Sequence, residues 1–243
     1  VITIQHSPAV DILFVKDTVC ENTEYDFAGQ VNYSNKSAVV WYTGNGSNSW
    51  DNNNIDFPKY TVSQLDALQG VIDIIVTVSP INPCSVEAVD SCKLYIQPLP
   101  IVKAGVDKTV CEDAFVTLSD ASVLFSNQVV WTDVLAGDGE FADATDINTD
   151  FTPGPNAIGL TYTQLRLTAQ PIDPCATELY DELTMYIQNL PIVSAGDNAT
   201  ICEDATHEVT ATVNGACGSP SFEWTTSGNG SFDDAYSLTT TYN

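Results

Sequence analysis

The cysteines at positions 20, 111 and 202 are spaced 91 residues apart, and the residues around them return in the same register. Thr18-Val19-Cys20-Glu21 reappears as Thr109-Val110-Cys111-Glu112 and as Thr200-Ile201-Cys202-Glu203. Leu99-Pro100-Ile101-Val102 reappears as Leu190-Pro191-Ile192-Val193, and Pro83-Cys84 as Pro174-Cys175. After each of the cysteines at 20, 111 and 202 comes one core-type tryptophan (Trp41, Trp131, Trp224). A Gly-x-Gly turn follows (Gly44 and Gly46, Gly137 and Gly139, Gly228 and Gly230), then an aromatic at Trp50, Phe141 or Phe232. A period of this length marks an array of like modules. About 90 residues suffice for one small domain with its own core.

The register sets the boundaries. Residues 1–8 read as the last strand of a preceding repeat, because Val1-Ile2-Thr3-Ile4-Gln5 resembles Leu94-Tyr95-Ile96-Gln97. A first repeat spans 9–100, a second 101–191, and a third, truncated, 192–243. The chain thus reads as a window on a longer array.

Inside each repeat, apolar and polar residues alternate with period 2, and Gly, Pro, Asn and Asp punctuate the runs, which is the pattern of half-buried strands. In the second repeat this predicts strands near 101–104, 108–111, 115–119, 128–133, 140–142, 147–151, 160–169 and 182–188. That is a seven-stranded sandwich whose first strand is split. The alternation points Leu165, Leu167 and Ala169 inward, like Ile74, Val76 and Val78, and makes Trp41, Trp131 and Trp224 core pillars. The one helix foreseen is a short one over 63–68, before Gly70. The fold expected is all-β, with tandem Ig-like, seven-stranded modules arranged head to tail.

Charge narrows the partners. With 32 acidic residues against 7 basic ones and a net charge of −25, the chain repels phosphate backbones, which excludes nucleic acid. No apolar run approaches the ~18 residues of a membrane span. Clustered carboxylates make calcium the one cofactor to consider, with Glu112, Asp113, Glu203 and Asp204 as candidate ligands; hard oxygen donors suit that ion. Catalysis lacks its parts. The only histidines are His6, in a junction segment, and His207, at an inward strand position, and the Gly-x-Gly turns fall between strands rather than before a helix. The chain is therefore expected not to be an enzyme.

Cysteines at fixed places in each repeat, without a Cys-x-x-Cys pair, indicate disulfides and an oxidising, extracellular setting. Cys20, Cys84, Cys111, Cys175 and Cys202 are the candidates, and two pairings fit. One closes each repeat on itself, Cys20 with Cys84 and Cys111 with Cys175. The other follows from strand parity: five strands separate the two cysteines of a repeat, so they lie at opposite ends of a sandwich, beyond the reach of an S–S bond. Cys20 then meets Cys175 of the next repeat, Cys84 is left for a preceding unit and Cys111 for the third. Cys92 occupies the register of Leu183 and reads as a buried free thiol. Cys217 has no counterpart, and its state is left open.

Ala104-Gly105-Val106-Asp107-Lys108-Thr109-Val110-Cys111-Glu112-Asp113 and Trp224-Thr225-Thr226-Ser227-Gly228-Asn229-Gly230-Ser231-Phe232 resemble the repeats of very large Bacteroidota surface proteins. These are the SprB-type adhesins of gliding bacteria, with modules similar in pattern to polycystic-kidney-disease (PKD-like) domains. The resemblance implies export by type IX secretion and a role in cell adhesion at the cell surface. The function expected is a non-catalytic stalk segment of such an adhesin or filament, whose partners are neighbouring repeats of the chain and an unspecified surface ligand. Two other readings are a glycan-binding accessory module, favoured by paired exposed aromatics such as Tyr42 with Tyr60 or Tyr180 with Tyr186, and a self-polymerising filament subunit.

Overall fold

The computed structural model describes residues 2–215, 217–218 and 221–243. In the first repeat the chain forms β1 (Ala9–Ile12), β2 (Lys16–Cys20), β3 (Glu24–Asp26), β4 (Val31–Ser34), β5 (Lys36–Thr43), β6 (Lys59–Thr61), α1 (Gln64–Gln69), β7 (Val71–Pro80) and β8 (Ala88–Gln97). One sheet has the order β2-β8-β7-β5, and the pairs β1-β4 and β3-β6 complete the module. The first strand is split as the sequence predicts: β1 pairs antiparallel with β4, while β2 runs parallel to β8.

Alternation builds the core. Along β7, Ile72, Ile74, Val76 and Val78 are fully buried, whereas Val71, Asp73, Ile75 and Thr77 are half-exposed. Each buried aliphatic side chain contributes about 1.5–3 kcal/mol relative to exposure. Trp41 on β5 is fully buried, with its ring 4.6 Å from Phe27 and 5.8 Å from Trp50. The predicted helix is α1. Ser63 caps it reciprocally with Asp66, and Gly70 ends it in the left-handed region at φ 74°.

The second repeat forms β9 (Ile101–Lys103), β10 (Lys108–Cys111), β11 (Val116–Leu118), β12 (Ser122–Leu124), β13 (Ser126–Asp133), β14 (Glu140–Phe141), β15 (Thr149–Thr152), α2 (Pro155–Leu160), β16 (Tyr162–Pro171) and β17 (Leu179–Gln188). Its main sheet, β10-β17-β16-β13, reproduces the order of the first, and β10 again runs parallel to its neighbour β17. Leu165, Leu167, Ala169 and Trp131 are buried as the alternation requires. Two elements, β12 and α2, were not foreseen. In the third repeat the chain forms β18 (Ile192–Ser194), β19 (His207–Thr210), β20 (Thr212–Asn214) and β21 (Thr239–Tyr242), paired β18-β20 and β19-β21.

The repeats share their local bonding. The backbone N–H of Trp41 donates to Asn53, that of Trp131 to Ala144 and that of Trp224 to Ala235, each at 2.8 Å. The second glycine of each Gly-x-Gly lies close against an aromatic side chain. A Cβ on Gly46, Gly139 or Gly230 would meet Tyr60, Phe151 or Tyr242 respectively at 2.8 Å or less. The second glycine of this signature is required by packing. One sequence expectation needs correction: Trp224 is half-buried, because no strands equivalent to β7 and β8 cover it among the described residues.

Contacts divide the chain into two compact units. The first takes in Val1–Ile101, Val123–Gln128 and Ala169–Leu179; the second takes in Val102–Ser122, Val129–Thr168 and Tyr180–Asn243. Unit boundaries and repeat boundaries therefore differ, since the tip of the β16–β17 hairpin belongs to the first unit. The protein is all-β, built of Ig-like sandwich modules.

Asp66 ties the first module's Gly-x-Gly turn to its helix. Its carboxylate accepts from the backbone N–H and hydroxyl of Ser47 (2.8 and 2.9 Å), from the same two groups of Ser63 (both 2.9 Å), and from the Tyr60 hydroxyl at 3.0 Å. The second module solves the same problem in reverse. Its helix starts on Gly154 without a side-chain cap, and Asp138 in the turn reaches over to accept from Asn156 N–H at 2.8 Å.

Burial opposes ionisation of Asp66, but the hydrogen bonds from Ser63 and Ser47 outweigh it and hold the carboxyl below the usual range. A depressed folded pKa contributes stability that is present above the unfolded value, about 3.9, and is lost as pH falls through the folded one. Asp66→Ala is expected to destabilise the first module by about 1–3 kcal/mol at neutral pH, the cost of orphaned buried donors. The difference between variant and parent should shrink as pH falls below about 4. Urea melts at a series of pH values check both; a gap that stays constant down to the acid limit would remove the carboxylate from this role.

Candidate functional site: the cystine clamps

Parallel pairing of β2 with β8 sets Cys20 opposite Gln97, at the last residue of each strand. Past that point Glu21 N–H donates to the Gln97 carbonyl at 3.0 Å, and the Glu21 carboxylate accepts from Leu99 N–H at 3.1 Å. The linker 97–100 is thereby fastened to the strand that carries the cysteine, and prolines at 98 and 100 restrict its backbone further. Onto this corner comes the β16–β17 hairpin tip. Its Cys175 N–H donates to Ile172 at 3.0 Å, and its sulfur lies 3.3 Å from the Gln97 carbonyl oxygen.

Cys20 and Cys175 are bonded, with Cα atoms 4.9 Å apart, inside the range an unstrained cystine spans. Of the two pairings compatible with the sequence, this is the one that links consecutive repeats. The other candidates fall out differently. Cys111 bonds to Cys217, with Cα atoms 5.4 Å apart. The loop bearing Cys217 lies against the end of β17: Cys217 N–H donates to Asn189 at 3.2 Å, and Gly215, at φ 96°, sits so close to Leu190 that a Cβ would meet its carbonyl oxygen at 2.3 Å. A bridging role for Cys217 was not legible, because the loop has no counterpart in the other repeats.

Cys84 and Cys202, both candidates for disulfides, are thiols here; for Cys84 this accords with the cross-repeat pairing, which leaves it for a preceding unit. Cys92 is a buried thiol on β8. Burial, reinforced by the negative charges of Asp90, Asp17 and Asp73, pushes it up to about 12, so it stays protonated at neutral pH and unreactive.

Among the described residues, no group of three or more His, Cys, Asp or Glu side chains gathers as a metal site. Glu112 is half-buried, while Asp113, Glu203 and Asp204 are exposed, so the four carboxylates named for calcium are not brought together as a ligand set. Glu112 shares Glu21's place, its N–H donating to Gln188 at 3.0 Å. His6 is exposed and His207 half-buried on β19. Of the aromatics named for glycan stacking, Tyr60 is buried against Ser47 and Asp66, and burial, helped by the charge and hydrogen bond of Asp66 and opposed by the hydrogen bonds with Ser47, pushes its hydroxyl up to about 12. Tyr180 is 57% exposed, with the Arg166 guanidinium 4.1 Å from its ring centre. Tyr42 and Tyr186 are exposed as well. Among the described residues no helix is long and apolar enough to cross a membrane.

No known family model matches the chain, and no curated protein does. Among solved structures it is similar to cadherin domains 1–4 of protocadherin gamma B7, at 9% identity and TM-score 0.47, over 98% of this chain and 67% of that one. Titin domains I67–I69 align at 10% identity and TM-score 0.42, over 98% and 87%. The insect immune protein hemolin aligns at 13% identity and TM-score 0.42, over 74% and 46%.

Proposed function

We propose that this chain is a non-catalytic stalk segment of an extracellular repeat adhesin or surface filament, in which cystines staple each module to the next. The observation that supports this most is the Cys20–Cys175 bond, which closes 155 residues of sequence between two consecutive repeats. A load applied at the two ends of such a chain passes through the S–S bond and bypasses everything between the two cysteines. The disulfides accord with an oxidising, extracellular compartment. The low content of cations keeps such a chain from adhering to anionic surfaces along its length. The resemblance to SprB-type repeats extends the reading to gliding Bacteroidota and export by type IX secretion.

Single-molecule stretching of the intact chain tests the mechanical part. The oxidised protein is expected to withhold about 50 nm of contour length relative to the same chain after reduction, because 155 residues at ~3.3–3.6 Å each stay locked. Equal contour lengths before and after reduction would overturn it.

A further inference from the structure

The Asn-rich loop after the first Gly-x-Gly turn differs from its counterparts in ways the fold does not call for. One backbone bond aligns the three repeats: the N–H groups of Trp41, Trp131 and Trp224 donate to Asn53, Ala144 and Ala235. One residue before each acceptor, a side-chain oxygen accepts the backbone N–H two residues on. Asn52 accepts from Asn54 at 3.0 Å, Asp143 from Thr145 at 2.8 Å and Asp234 from Tyr236 at 3.0 Å. An oxygen is all this turn requires, and aspartate supplies it in two repeats. Asparagine at 52 supplies the same oxygen and adds an NH2 with two donors. Directly after the tryptophan the first repeat has Tyr42, where the others have Thr132 and Thr225.

These differences meet in one place. Tyr42, Asn48, Trp50, Asp51, Asn52 and Asn53 line an open concavity of about 560 Å³, within the size range of small-molecule sites. Tyr42, on the solvent side of β5, is 40% exposed. The Asn48 side-chain oxygen accepts from the N–H and hydroxyl of Thr43 at 2.8 and 2.9 Å. Asp51 Oδ1 accepts from the N–H groups of Asn52 and Lys59 at 2.7 and 2.8 Å. Each of these side chains is therefore fixed through one polar atom while the other is left over. Among the described residues, the NH2 groups of Asn48 and Asn52 and Oδ2 of Asp51 have no protein partner.

Donors and an acceptor held in advance beside an exposed ring suit the chemistry of a sugar. A pyranose presents adjacent hydroxyls, each both donor and acceptor, and an apolar C–H face that covers an aromatic ring. The lining includes one carboxylate and no cation, and the chain carries a net charge of −25, so an anionic sugar is repelled. We propose that this concavity binds a neutral carbohydrate chain, with the C–H face of one sugar on Tyr42 and its adjacent hydroxyls engaged by Asn48, Asp51 and Asn52. The site belongs to the first repeat and does not depend on how the repeats are stapled. The second and third repeats, with threonine in place of the ring and aspartate in place of Asn52, serve as scaffold only.

Native electrophoresis of the intact chain through gels containing a soluble β-glucan, a galactan or a mannan tests this, with alginate as the anionic comparison. At least one neutral polymer is expected to retard the chain, and alginate is not. Tyr42→Ala should weaken the binding about tenfold, the loss of one aromatic contact. Asn52→Asp should weaken it about fivefold, the loss of one hydrogen bond. That variant keeps the turn, as Asp143 and Asp234 do, and removes only the donors, so its effect is separate from folding. Tyr186→Ala, which removes an exposed tyrosine of the second repeat, should change nothing. Retardation by none of the neutral polymers, or by alginate, would overturn the proposal. So would undiminished binding by Tyr42→Ala or Asn52→Asp, or an equal loss in Tyr186→Ala.

Discussion

Trp41→Ala is expected to cost the first module about 3–5 kcal/mol, the range for emptying a buried tryptophan site. The indole lies between Phe27, at 4.6 Å, and Trp50, at 5.8 Å, in a cluster completed by Val39, Val76 and Leu94. β5 is hydrogen-bonded to β7 on one edge, and Trp41 N–H is engaged by Asn53, so the backbone cannot close over the hole. A domain of this size has only about 5–15 kcal/mol in hand, and the loss takes a large share of it. Trp224→Ala supplies the internal comparison. The same residue type at the same place in the repeat is half-buried there, so its truncation should cost clearly less. Denaturant melts of the two variants separate the outcomes, and equal losses would mean that repeat position, rather than enclosure, sets the value of the tryptophan.

That comparison also shows where sequence reading reached its limit. A 91-residue register and period-2 alternation were enough to identify tandem all-β modules, the split first strand, the inward residues of β7 and β16 and the helix capped by Ser63. All of these rest on local pattern, which survives in a single sequence. Enclosure does not: Trp224 carries the same signature as Trp41, and only the presence or absence of covering strands distinguishes them. α2 escaped notice because its six residues, Pro155–Leu160, are too few to show helical periodicity, and its N-terminus is served by Asp138 from a distant turn. The clamp was half-legible. Strand parity ruled that two cysteines of one repeat lie apart, which singled out Cys20 with Cys175 as a live alternative. No register argument could reach Cys217, whose loop occurs once.

The bond between Cys20 and Cys175 should matter as much as the core, by a different route. Closing a loop of 155 residues restricts the unfolded chain, and the chain-entropy relation puts the stabilisation at roughly 5 kcal/mol. Cys20→Ser with Cys175→Ser is therefore expected to lower the melting temperature by about 10–20 °C, at ~2–4 °C per kcal/mol for a chain of this length. Because the effect resides in the unfolded ensemble, the folded state of the double variant should keep its near-ultraviolet circular dichroism. Trp41→Ala removes a chromophore and loosens packing, and should not. Cys84→Ser is the matched control: it removes a thiol at the same kind of hairpin tip without opening a loop, and should change stability by no more than ~0.5 kcal/mol. If the double variant melts within a degree or two of the parent, the β2 corner is held by Glu21, Gln97 and the linker alone. The cystine would then add mechanical continuity and no thermodynamic stability.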